Sequence, residues 1–422
     1  MVSYANIKKT SYHNKESLLY RICNSMVATS AIILFFLMMF SPRTNLLAKV
    51  PFLLFILISR SLIIIQTGRI KINTKVFLWA LIYVSFGALW GAYGLVNSKE
   101  YAIDFLRLNI IWVIFYMFFV LIISKPEHIK MAQKVMIWAS LAIALYNINY
   151  VLYGMGYLHI PQLIDLDMGQ AVGLHAGYVQ LTAHNIGSLM FLFPFLFSGM
   201  AITRGGYFAG VPKWFLTLVL IMCLITVFLS GRRMLWLITI IAPLLYFGII
   251  EFGTKSIAKF KFKQVLPLFI VGIIIVLGQY LFFETGGWDL DNFIERLTFS
   301  GEQAQGYDYR INSIDSLMND MRDCLFFGTG GGSPAFEVTF MQVFHETGII
   351  GLPIFIGLFL WVYFQIFRLI KQKKGNIEQG IPLLIGGICF FLGMFSNPYY
   401  SSFDFMWSLF LPLAYVNVYL RG

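Results

Sequence analysis

The chain has 422 residues, 59% of them hydrophobic and only 12% charged, with a formal net charge of +11. So few charged side chains cannot cover a water-soluble globule of this length, and repeated apolar runs of about 20 residues define an all-α polytopic membrane protein. The positive charge falls mostly in short loops, which argues against a soluble nucleic-acid-binding domain and for orientation in, and contact with, anionic lipid.

In chain order, the N-terminal stretch "MVSYANIKKTSYHNKESLLYR" is polar and basic. No cleavable signal peptide is expected there, and the first apolar run reads as a retained span. Hydropathy predicts about 12 transmembrane helices, at 24–40, 47–66, 76–96, 105–123, 135–154, 185–202, 214–230, 234–250, 265–283, 346–367, 380–396 and 403–420. They form a single membrane domain over 1–422 with two sizeable loops, at 155–184 and 284–345. Sorting Lys and Arg by side puts 21 on the side of the N-terminus and 9 on the other, with Arg60 inside a span. The basic side is the cytoplasmic one by the positive-inside rule, so both termini are expected in the cytoplasm and both long loops outside.

The large loop is too short for an independent domain and too rich in mixed charge for a connector. Its stretch "YDYRINSIDSLMNDMRD" spaces Ile311, Ile314, Leu317, Met318 and Met321 as an amphipathic helix, and "GTGGGSP" breaks it. That glycine run lacks the lysine and preceding strand of a nucleotide-binding loop. Trp288, Phe293, Tyr307 and Tyr309 fit either stacking on sugar rings or anchoring at the interface, and Asp289 and Asp291 fit a solvated turn. No His, Cys or Asp cluster has metal-ligand spacing, so neither a metal nor another cofactor is expected. Cys23, Cys223, Cys324 and Cys389 read as inert packing.

Arginine carries the sharper signal. "LSGRRMLWLI" sets Arg232 and Arg233 between two apolar runs, on the sparsely basic side. They are either interfacial anchors or a phosphate site, since guanidinium offers paired planar donors. Arg60 and Arg107 lie within or close to the membrane and are expected to turn toward a polar interior, Arg60 in structural pairing or ligand contact and Arg107 as the better ligand candidate. Glu337 precedes a span on the same side. It reads either as a solvated glutamate or as a general base with a shielded carboxylate. His345 and Glu346 read as interfacial residues at the start of the tenth span.

Several segments resemble the bacterial O-antigen polymerase and O-antigen ligase superfamily over about residues 170–400. "FLSGRRMLWLITIIAPLL" is similar to its arginine-bearing helix start, with Ser230-Gly231-Arg232-Arg233 in place of the usual Ser-x-Ser-Arg. "RINSIDSLMNDMRDCLFFGTGGG" resembles its outer loop, matching Arg310, Gly328 and Gly330. "EVTFMQVFHETGIIGLPIFIGLF" resembles the close of that loop, with Glu337 where ligases carry histidine. "GLHAGYVQLTAHNIGSLMFLFPF" matches at Gly177 and Asn185, but His175 stands where an arginine is common.

The resemblance implies a GT-C-like lipid-sugar glycosyltransferase in the bacterial inner membrane. It would join oligosaccharide repeat units carried on undecaprenyl pyrophosphate, independently of metal. Glu337 would be the base, Arg232, Arg233 and Arg310 the pyrophosphate clamp with Arg107 in support, and His345, Gly328 and Gly330 supporting residues. The implied partners are the undecaprenyl-pyrophosphate-linked oligosaccharide, membrane lipid and a candidate chain-length regulator protein, with no nucleic acid. Other readings are a ligase, a lipid-linked oligosaccharide flippase or transporter, and a structural scaffold.

Overall fold

The computed structural model describes residues 18–42, 45–67, 71–154, 173–175, 178–180, 183–203, 205–230, 232–253, 316–332, 338–397 and 399–421. Its helices are α1 (Leu18–Phe40), α2 (Leu46–Thr67), α3 (Thr74–Val96), α4 (Ala102–Leu106), α5 (Trp112–Ile122), α6 (Pro126–Gly154), α7 (Leu189–Ile202), α8 (Lys213–Leu229), α9 (Arg233–Gly253), α10 (Thr339–Lys371), α11 (Ile377–Gly393) and α12 (Trp407–Arg421). A π-helical turn, Arg107–Ile111, joins α4 to α5, and a 3-10 turn, His184–Ser188, leads into α7. There are also two short antiparallel hairpins: Gly173–His175 with Tyr178–Gln180, and Tyr207–Phe208 with Val211–Pro212.

Among the described residues, seven helices are long and apolar enough to cross a membrane, and four shorter ones are apolar. Each coincides with one of the predicted spans; the remaining one, 265–283, lies outside the described residues. Asparagine caps start two of the helices: Asn73 accepts from the Lys75 amide (2.9 Å) and Asn376 from the Gln379 amide (3.3 Å). The central helix is α7, with 94% of its span buried against 28% for α2. A helix apolar all round belongs inside the bundle, and α7 packs there closely against α11, where an added side chain at Gly386 would strike Phe191.

Loops segregate to two faces. On one, Ser188 Oγ donates to the Met39 carbonyl (2.8 Å), the Gly331 amide to Trp90 (2.9 Å) and Thr339 Oγ1 to Asn397 (2.9 Å). On the other, the Asn73 amide donates to Asn417 Oδ1 (2.8 Å), Gln133 to the Gln379 carbonyl (3.0 Å), and Arg421 to the carbonyls of Lys71 and Ser124. These are the two sets that the alternation of spans separates. The loops after α1, α3, α8 and α11 share the face of the glycine run 328–332.

Two departures from the hydropathy reading shape that face. First, the helix expected at 346–367 begins at Thr339 and breaks at Gly348, whose φ of 66° and ψ of −166° are open to glycine alone. In a straight helix, Phe340 and Phe355 would stand about 22 Å apart. Their ring centroids are 6.4 Å apart, so α10 is a V with Gly348 at its vertex and the half-helix 339–347 folded back beside the long arm.

Second, α11 ends at Gly393 and α12 begins at Trp407, and the described residues between them, 394–397 and 399–406, form turns and two 3-10 helices (Tyr399–Ser401 and Phe403–Phe405) where a short loop is expected between spans ending at 396 and starting at 403. This segment enters the bundle. The Tyr400 ring lies 5.0 Å from that of Phe359, which is roughly 16 Å along the long arm from the vertex.

Candidate functional site

The glycine run forms a clasp around the vertex of α10. Gly328, Gly330 and Gly332 all have positive φ, which lets consecutive amides turn toward the helix break. Thr329 donates from its amide to the His345 carbonyl (2.9 Å) and Gly330 to that of Glu346 (3.1 Å). In return, the amides of Ile349 and Ile350 donate to the carbonyls of Leu325 (3.0 Å) and Phe326 (3.2 Å). The break leaves helical amides and carbonyls without partners in their own helix, and the clasp satisfies them. Helix α3 receives the clasp's outer edge. Trp90 Nε1 donates to the Phe327 carbonyl (2.9 Å), and Gly94 lets Gly331 approach so closely that a Cβ would collide with its carbonyl.

Gly328 and Gly330 therefore hold a helix break. His345 and Glu346 sit just before the vertex and are buried, 7% and 4% exposed. Both side chains are enclosed by protein just before the break at Gly348. Thr329 Oγ1 lies 3.3 Å from His345 Nδ1, and Gln342 Nε2 donates to Glu346 Oε1 (3.3 Å). Cys324 closes the clasp's first turn by accepting from the Gly328 amide (2.7 Å). Partial burial pushes its thiol pKa up.

The start of the half-helix lies deep. Thr339 is bonded to Asn397 of the inserted segment, and the Phe340 and Phe395 rings are 4.2 Å apart. Glu337 itself lies outside the described residues. Its chain neighbour Thr339 meets the inserted segment at Asn397.

The far end of that segment is fixed by charge. Asp404 Oδ1 accepts from Lys49 Nζ (2.8 Å), the two side chains being 1% and 0% exposed, and Lys49 also donates to the Ser41 carbonyl (2.5 Å). Phe403 stacks on Trp112 at 3.8 Å, and its carbonyl accepts from Tyr116 (2.9 Å). The sequence reading missed this pair. Lys49 and Asp404 each fall in the first turn of a predicted span, 47–66 and 403–420, and pass for charges at its rim.

Among the described residues, the arginines meet different partners. Arg232 is half-buried at the head of α9, where its amide donates to Ser230 Oγ (3.2 Å) and its carbonyl accepts from Leu235 and Trp236. Arg233 is the first residue of α9, its side chain outside the described part, and Arg310 lies wholly outside it. A helix start with two arginines suits an anion.

Arg107 heads the π turn, well exposed and paired with Asp104 (2.8 Å). The expected turn toward a polar interior is not what it makes. Arg60 donates to the Leu121 carbonyl (2.9 Å), a structural contact between α2 and α5.

An apolar groove lies between α1, α2 and α5, with Leu34, Met38, Leu53, Ile56, Trp112 and Phe119 among its walls. Among the described residues, no three His, Cys, Asp or Glu side chains converge as metal ligands would. Compared with known protein families and with curated proteins, the sequence matches none.

Proposed function

We propose that the chain is a polysaccharide polymerase resembling the O-antigen polymerases, with twelve transmembrane helices, a GT-C-like architecture and both termini cytoplasmic. It joins undecaprenyl-pyrophosphate-linked repeat units at the outer face of the inner membrane. The terminal hydroxyl of one unit attacks the anomeric carbon of another, Glu337 accepts the proton, and undecaprenyl pyrophosphate leaves. The released charge calls for cations, supplied by Arg232, Arg233 and Arg310, with Arg107 at the rim. The apolar groove between α1, α2 and α5 offers the isoprenoid tail a path.

The observation that carries this reading is the folded-back half-helix 339–347 beside the inserted segment 394–406. Broken helices and irregular backbone at membrane depth occur where they are enclosed by protein or line a polar cavity. Here they meet at Thr339, two residues after Glu337 in the sequence.

The same broken helix and the buried Lys49–Asp404 pair also favour a second reading, a lipid-linked oligosaccharide flippase, since transporters build their sites from interrupted helices. Deleting the gene and resolving the glycans on a gel separates the readings. Surface glycans of a single repeat support the polymerase. Absence of surface glycan with lipid-linked units retained inside the cell supports the flippase. Long lipid-linked chains that never reach their acceptor indicate a ligase.

A further inference from the structure

We propose that the Lys49–Asp404 pair is a positioning device that holds the inserted segment 394–406 against the start of the half-helix 339–347. The inference rests on the site assigned above, which that half-helix heads.

A buried ion pair is a poor stabiliser. Two charges lose their hydration, and apolar residues of the same volume often serve the fold as well or better. Lys49 and Asp404 are nevertheless enclosed completely, and their sequence separation joins the first outer loop to the last. What the pair adds over an apolar contact is direction. Lys49 Nζ is held at once by Asp404 Oδ1 and the Ser41 carbonyl, so one ammonium sets the end of the inserted segment against the α1–α2 connection.

From there the segment runs as a strut. Phe403 is clamped on Trp112 and bonded to Tyr116, Tyr400 rests on Phe355 and Phe359, and Asn397 and Phe395 meet Thr339 and Phe340. A shift at Asp404 would therefore be carried to the residues that follow Glu337. Apolar replacements would keep the volume but leave the end of the strut free to slide.

The test is the double variant Lys49→Met/Asp404→Leu, with Asp404→Asn as a milder companion. It has two readouts: kinetics of polymer formation from purified lipid-linked repeat units, and maleimide labelling of a cysteine at Ser396 in detergent. The double variant should melt no lower than wild type and label at least tenfold faster. Its kcat should fall by about a hundredfold, the cost typical of a displacement near 1 Å, with KM within twofold.

Unchanged labelling and kcat in a folded double variant would overturn the proposal. Loss of fold in both variants would also overturn it, by making the pair part of the folding core. If wild type forms no polymer from these units, the functional reading fails, and the labelling arm alone still decides whether the pair holds the strut.

Discussion

Replacing Gly348 by alanine should release the glycine clasp without unfolding the bundle. With φ 66° and ψ −166°, Gly348 occupies a region that costs other residues about 1–3 kcal/mol. An added Cβ would also overlap the Phe326 carbonyl and the Gly328 amide. The chain relieves the overlap by giving up the bonds from Ile349 to Leu325 and from Ile350 to Phe326, worth about 0.5–1.5 kcal/mol each. Together these terms come to about 2–6 kcal/mol on the local opening, or a rise of roughly 30-fold or more in the open population.

Cys324 reports that opening directly. It is half-buried inside the clasp, whereas Cys223 and Cys389 are fully buried. With Cys23 changed to serine, maleimide labelling in detergent should accelerate in proportion to the open fraction. Gly357→Ala, on the long arm of the same helix, is the matched control. No atom lies within 4 Å of the new Cβ, so the change should be neutral or stabilising by about 0.5–1 kcal/mol, with labelling unaltered. If Gly348→Ala labels and melts like wild type, neither the V of α10 nor its clasp exists as described.

Three further outcomes bear on sidedness and chemistry. A cysteine at Ser300 should react with a membrane-impermeant thiol reagent in intact cells; reaction only after lysis reverses the orientation and removes the site from the outer face. Of Arg232→Lys and Arg233→Lys, at least one should lose roughly ten- to a hundredfold in polymer formation at normal expression, because lysine keeps the charge but not the paired donors. Full activity in both lysine and both alanine variants would leave only membrane anchoring. Glu337→Gln should cost about a hundred- to ten-thousandfold while Glu337→Asp keeps part of the rate, and a fully active Gln variant would move the base to His345 or Asp308.

The spans were readable in the sequence because lipid imposes a length. Any run of about 20 apolar residues must cross as a helix, and the alternation of basic loops then sorts the faces. Arg232 and Arg233 were readable for the same reason, as charge on an otherwise poorly basic face. Hydropathy is blind where protein rather than lipid is the solvent. "HETGIIGLPIF" scores as the entry to one continuous span, yet Gly348 turns the chain back because the clasp, supplied from 324–332, pairs the amides of the break. "NPYYSS" scores as a short loop between two spans, since nothing in its composition tells that Tyr400 packs on Phe359.

Lys49 and Asp404 are the limiting case. Each alone looks like a residue that ought to reach water, and only a partner 355 positions away in the chain explains how both can be buried. Charges that face the membrane boundary announce themselves by side and spacing. Those that neutralise each other inside the bundle carry no local signature, so an intramembrane charge read alone should prompt a search for a distant opposite charge before a ligand is assigned to it.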